Sequence, residues 1–136
     1  MARYSSTPLV KKLGIKEGMS VWFVDAPDNY QELLGDLPKH TSKEAKDNVD
    51  FIHFFTRSRE TLSEEFEGLK KRLKPTGMLW ISWPKSSCSF ANSNLTEHVV
   101  RAIGLENGLV DVKVAAIDEN WSGLKFVYRV KDRVLS

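Results

Sequence analysis

Between Gly18 and Gly35 the chain has no glycine, although the apolar run Met19 to Val24 ends inside that interval. A strand-to-helix turn that cradles a phosphate or a nucleotide needs glycine there, so that the backbone can approach its ligand closely. Here the turn reads Asp25-Ala26-Pro27-Asp28-Asn29-Tyr30, and Pro27 also removes a backbone donor. Cysteine is nearly absent: Cys88 alone can form no internal disulfide and no zinc site by itself, which fits a reducing compartment. Long apolar runs are lacking as well, and Met1 to Ser6 contains no signal-peptide core, so a cytoplasmic protein with no membrane partner is expected. Charge of one sign does not dominate. The formal net charge is +2, and acids and bases interleave from Lys39 to Asp47, which argues against nucleic acid as a partner. There is no internal repeat, low-complexity tract or linker.

What the chain does have is an apolar fraction of 41% and fourteen aromatic residues in 136, enough for one domain with its own core over residues 1–136. Ser6-Thr7-Pro8 ahead of Leu9 to Leu13 predicts a short helix with a hydroxyl cap and Gly14 as its terminator. Met19 to Val24 reads as a central strand covered on both faces. Asp28 is the predicted cap of a helix through Tyr30, Leu33 and Leu34 that stops at Gly35. The polar stretch from Lys39 to Asn48 carries no convincing strand, and Val49 to Phe55 is the next apolar one. Leu62, Phe66, Leu69 and Leu73 recur at helical spacing after a start at Ser58 or Thr61, with Glu64 as a capping-box partner of Thr61. Lys74-Pro75-Thr76-Gly77 then opens a buried strand from Met78 to Trp83, ended by Pro84. Asn94 with Glu97 predicts a further capping box, for a helix with Leu95, Val99, Ala102 and Ile103 inward. Leu109 to Ile117 and Leu124 to Val130 predict an antiparallel hairpin whose turn runs from Asp118 to Gly123.

This order of elements is similar to the seven-stranded Rossmann-like core of class I S-adenosylmethionine-dependent methyltransferases. Leu73-Lys74-Pro75-Thr76-Gly77-Met78-Leu79-Trp80-Ile81-Ser82 resembles the segment that enters their fifth strand. More closely, Tyr4-Ser5-Ser6-Thr7-Pro8-Leu9, Lys12-Leu13-Gly14-Ile15, Ser82-Trp83-Pro84-Lys85, Gly108 to Val114 and Trp121-Ser122-Gly123-Leu124-Lys125 resemble a small bacterial domain-of-unknown-function family. The resemblance implies an α/β fold of three layers, Rossmann-like, with a mostly parallel sheet and an antiparallel C-terminal hairpin strand. It also implies a bacterial cytosol and no established activity. The departures bear on function. The methyltransferases carry a Gly-rich loop after the first strand and an acidic residue after the second that binds the ribose hydroxyls; here the loop has no glycine and the second βα unit shrinks into Lys39 to Asn48. No cofactor is expected, and S-adenosylmethionine should bind poorly.

In an open α/β sheet ligands bind beyond the carboxyl ends of the strands. Those ends carry Asp25 and Asp28, Thr56 and Arg57, Trp83 and Lys85, and Asp118 and Trp121. The candidate ligand-binding residues are therefore Asp25, Asp28, Arg57, Trp83, Lys85, Asp118 and Trp121, around a polar crevice. Arg57 and Lys85 favour a small anionic ligand, with Trp83 or Trp121 as a wall. The alternative use of the rim is ordinary surface ion pairing. Trp121, placed in the hairpin turn, is either folded over the core or offered to a protein partner. His53 reads as a buried, hydrogen-bonded core residue with no nucleophile beside it in sequence. His40 and His98 lack metal-ligand spacing, so no metal is expected. Cys88 lies in a serine-rich loop with Ser86, Ser87 and Ser89, which lacks the pattern of a phosphate loop. Glu64, Glu65, Glu67, Lys70, Lys71 and Arg72 read as a solvated helix face. The reading is a non-catalytic binding or interaction module; the alternative is an enzyme acting on a small anionic substrate at the strand-end crevice.

Overall fold

A computed structural model describes residues 8–86 and 92–133. The elements are α1 (Leu9–Leu13), β1 (Val21–Val24), α2 (Tyr30–Leu34), β2 (Val49–Phe55), α3 (Arg59–Arg72), β3 (Leu73–Pro84), α4 (Glu97–Glu106), β4 (Leu109–Ala116) and β5 (Trp121–Tyr128), followed by a 3-10 turn, Val130–Asp132. The strands form one five-stranded sheet in the order β1-β2-β3-β5-β4. The pairs β1–β2 and β2–β3 are parallel, whereas β5 runs antiparallel to both of its neighbours. The fold is thus α/β and Rossmann-like, a mostly parallel sheet closed by an antiparallel hairpin.

Two apolar clusters show the three layers. On one face Leu62, Phe66 and Leu69 of α3 and Val100 and Ile103 of α4 pack on Ile52, Phe54, Leu79, Ile81 and Trp83. On the other, Leu9, Val10 and Leu13 of α1 and Tyr30 and Leu34 of α2 cover Val21, Phe51, Phe55 and Trp80. β2 is buried on both sides because each of its faces meets a helix layer. β1 is not the central strand its apolar run predicts. It lies at the edge of the sheet with three of its four residues half-buried, and the polar segment beyond α2 contributes only a single bridge, Ser20 with Ser42.

Local chemistry places the helix ends, with several shifts from expectation. Ser58 caps α3, its hydroxyl accepting from the Thr61 N–H at 3.1 Å, so Thr61 is not the cap. Thr96, not Asn94, caps α4 and accepts from the Val99 N–H. Asn94 reaches across the fold instead, accepting from the Arg59 N–H at 2.7 Å at the start of α3. Val100 takes the inward position expected of Ala102, which is exposed. Asn29 precedes α2 in the cap position with no side-chain bond, so Asp28 does not cap it. Pro8 stands at the start of α1; Ser6 and Thr7 lie outside the described residues, as do Ser87, Cys88 and Ser89. Gly14 ends α1 in the left-handed conformation, φ 89°. Lys70 is not merely solvated: its ammonium donates to the Asn107 carbonyl at 2.7 Å, tying α3 to the end of α4.

Gly104 marks the tightest approach of helix to sheet. Glycine inside a helix costs about 0.5–1 kcal/mol relative to alanine, yet a Cβ at this position would overlap the Phe126 ring. Gly104→Ala should therefore destabilise the fold by about 1–3 kcal/mol despite its better helix propensity, the usual cost of overpacking. Urea unfolding of the two proteins checks this, and an unchanged or raised midpoint would show that the ring has room to move.

Candidate functional site

Because β1, β2 and β3 are parallel, Asp25, Thr56–Arg57 and Lys85 leave the sheet at the same end. The antiparallel β5 begins there, with Trp121 opposite Pro84, and the β4–β5 connection is pinned by a bond from the Lys85 N–H to the Asn120 carbonyl at 2.8 Å. The result is an open cavity of about 710 Å3 lined by Asp25, Pro27 and Asn29 from the β1–α2 loop, Phe55, Thr56 and Arg57 from the end of β2, and Asp118, Asn120 and Trp121 from the hairpin.

Asp25 is the residue that shapes the rim. It has φ 57°, the left-handed region, and so occupies without glycine a conformation that glycine adopts freely. Its side chain is exposed, and among the described residues no hydrogen bond or ion pair engages its carboxylate. Asp118 is differently employed: its Oδ1 accepts from the N–H groups of Asn120 and Trp121 at 2.8 and 2.9 Å, closing the turn. Trp121 is the first residue of β5, not part of the turn, and is half-buried. Its ring meets Phe55 edge-on, 5.2 Å between centroids, and the two form an apolar wall.

The structure therefore brings Asp25, Arg57, Asp118 and Trp121 around one cavity. Trp83 and Lys85 are separated from it, because Trp83 turns to the α3–α4 face and lines, with Lys85, Thr96, Glu97 and Ser122, another hollow of about 390 Å3. Asp28 is exposed on the β1–α2 loop and does not line the main cavity.

Behind the Phe55 wall lies a network that the sequence did not disclose. The Tyr30 hydroxyl is 2.6 Å from His53 Nδ1, and His53 Nε2 is 2.7 Å from Ser82 Oγ. One imidazole nitrogen donates and the other accepts, and the two hydroxyls orient to suit, so every member is satisfied. His53 and Ser82 are fully buried and Tyr30 almost so. Burial alone pushes the imidazole down to about 3 and the Tyr30 phenol up. Phe55 stacks on the imidazole, 4.1 Å between centroids and 28° between planes. A serine and a histidine at this distance suggest a nucleophile and its base, but here the pair is sealed beneath the cavity wall and serves as a neutral structural strut. The sequence marked His53 as buried and hydrogen-bonded but not its partners, for which the one signal was Ser82, a lone hydroxyl between Ile81 and Trp83 in an apolar strand. Among the described residues no group of three or more His, Cys, Asp or Glu side chains could hold a metal, and no helix is long and apolar enough to cross a membrane.

No family model matches the chain, and no curated protein does. Solved structures do. A S-adenosylmethionine-dependent methyltransferase from Aquifex aeolicus superposes with a TM-score of 0.62 at 18% identity, over 87% of this chain and 86% of that one. Magnesium protoporphyrin IX methyltransferase from Synechocystis PCC 6803, solved with bound S-adenosylmethionine, gives 0.57 at 14% identity over 89% and 74%. Fibrillarin from Aeropyrum pernix, also with S-adenosylmethionine bound, gives 0.54 at 14% over 88% and 72%. At such identities the likeness establishes the fold alone, a methyltransferase-like Rossmann fold.

The buried imidazole makes a pH prediction. Its folded-state value of about 3 lies below the ordinary 6.5, so between those limits the unfolded chain binds a proton that the folded one excludes. Stability is then complete above pH 6.5 and falls on acidification, with a limiting slope of about 1.4 kcal/mol per pH unit. Below about pH 4 the loss is joined by Asp111, whose carboxyl Arg101 holds down, and by Asp50, where burial acts upward but bonds from Ser20 and Lys74 outweigh it. Urea unfolding at a series of pH values should show the slope between pH 6 and 4.5 in the wild type and a flatter one in His53→Gln. Parallel slopes would refute the assignment.

Proposed function

We propose that this chain is a non-catalytic binding domain on a methyltransferase-like fold, and that the strand-end cavity takes a small ligand with an anionic group for Arg57 and a protonated amine for Asp25. The observation that carries the reading is Asp25: a left-handed, exposed aspartate whose carboxylate no described residue engages, on the lip of the strand-end cavity. Aspartate tolerates that region better than most side chains, as His40 and Asn48 also do elsewhere in the fold, but of the three only Asp25 lines the cavity. Arg57 contributes a planar fork suited to a carboxylate or phosphate, and Phe55 with Trp121 a flat apolar wall.

The absence of catalysis rests on what the lining contains. It offers carboxylates, amides, a guanidinium, Thr56 and aromatic rings, while His53, Tyr30 and Ser82 are closed off behind Phe55. S-adenosylmethionine, bound in the Synechocystis and Aeropyrum structures, is not the proposed occupant. The β1–α2 loop here carries a side chain and a proline where close backbone approach needs glycine, and the segment beyond α2 is reduced to one bridge. A bacterial cytosol suits a chain with one cysteine and no spanning helix among the described residues.

A thermal-shift screen of amino acids, amino phosphates, simple carboxylates and nucleotides tests the reading. A ligand at about 100 times its dissociation constant stabilises by roughly 2.7 kcal/mol, on the order of 10 °C for a domain of this size. Amphoteric compounds should shift the wild type but neither Asp25→Gly nor Arg57→Ala. Asp25→Gly should itself leave stability within about 1 kcal/mol, because relief of the left-handed strain offsets the added freedom of the unfolded chain. Hits unaffected by both substitutions would place the site elsewhere, and a hit that the protein converts chemically would make it an enzyme.

A further inference from the structure

The two edges of the sheet are unlike. Along β4 the ladder with β5 slips between Asp111 and Lys113, Asp111 is held by Arg101 at 2.9 Å, and Lys113 reaches back to the Lys12 carbonyl. A bulge and bound charges are devices that stop a second strand from adding to an edge. β1 has neither. On its outer side the Val21 N–H donates to the Ser42 carbonyl at 2.8 Å and the Met19 carbonyl accepts from the Ser42 N–H. Ser20 turns its carbonyl the other way, toward Asp50 and Phe51 of β2, so by strand alternation the peptide groups of Phe23 face outward, and among the described residues no strand pairs with them.

Beside that open edge is a groove of about 300 Å3 with Trp22, Phe23, Ala26 and Tyr30 on its walls and Lys43 and Lys46 as its only charged residues. Lys46 lies 5.9 Å and Arg72 5.4 Å above the Trp22 ring. Asp47 answers Arg72, at 3.5 Å, leaving the lysines to set the charge of the groove.

We propose that the outer edge of β1 is a strand-addition site for an extended acidic segment of a partner protein. The segment pairs its backbone with Phe23, sets an apolar side chain into the groove against Phe23 and Tyr30, and brings carboxylates to Lys43 and Lys46; main-chain bonds give affinity and the alternate side chains give selectivity. A second copy of this chain is the poorer occupant, since two-fold pairing of β1 with itself sets each lysine pair against the other. This surface is distinct from the strand-end cavity, which shares only Pro27 with it.

The test is a titration of the isotope-labelled full chain with an N-acetylated hexapeptide of alternating Glu and Val, and with its Lys and Val counterpart, followed by amide exchange and the Trp22 indole signal. The acidic peptide should protect the Phe23 amide and shift the indole, with the basic peptide at least about tenfold weaker. Joint Lys43→Glu and Lys46→Glu substitution, at two exposed positions, should reverse that preference. Three results would overturn the proposal: no protection of Phe23 by the acidic peptide, equal binding of the two peptides, or shifts confined to β4. Protection of Phe23 that grows with protein concentration in the absence of peptide would also overturn it, by showing a second copy on the edge.

Discussion

The hydrogen bond between the Tyr30 hydroxyl and His53 Nδ1 fixes the end of the molecule where function is proposed. α2 has five residues, too few to persist as an isolated helix, and it is held by its first residue. The Tyr30 ring meets Phe23, His53 and Phe55 edge-on at 5.1–5.2 Å, and its hydroxyl joins the imidazole that Ser82 secures from β3. One buried chain therefore spans α2, β2 and β3. With α2 anchored, the five residues between Val24 and Tyr30 must turn sharply over the end of the sheet, and Asp25 takes the left-handed conformation that the turn demands.

That turn explains the missing glycine. Asp25 holds a backbone shape that glycine adopts freely, and its side chain sets a carboxylate at the lip of the cavity where a glycine would leave open space. Pro27 and Asn29 continue the same rim. A loop with a charged side chain and a proline, and no glycine, fits the proposed ligand held by its polar groups better than one that must lie flat on the backbone.

The strands were legible because β2 and β3 are buried on both faces and so read as near-continuous apolar runs. The same pattern misplaced β1, whose apolar residues are shared between the two layers at an edge. Helix caps were legible only where the bond is local. Asn94 and Glu97 have capping-box spacing, but the Asn94 side chain is drawn to the start of α3, 35 residues away in sequence. Of the site, Asp25, Arg57, Asp118 and Trp121 converge as the carboxyl-end rule implies, whereas Trp83 does not, because successive side chains alternate between faces and Ser82 takes the side of His53. The Tyr30–His53–Ser82 chain was hidden for a related reason: its members are 23 and 29 residues apart, and they meet only through the register of β2 on β3 and the packing of α2 on the sheet.

The central proposal is that the strand-end loop of this methyltransferase-like fold, which carries Asp25 and Pro27 and no glycine, does not receive S-adenosylmethionine. Isothermal titration of the purified chain with S-adenosylmethionine tests it most directly. The account predicts no saturable heat into the high-micromolar range; low-micromolar binding with one-to-one stoichiometry would contradict it.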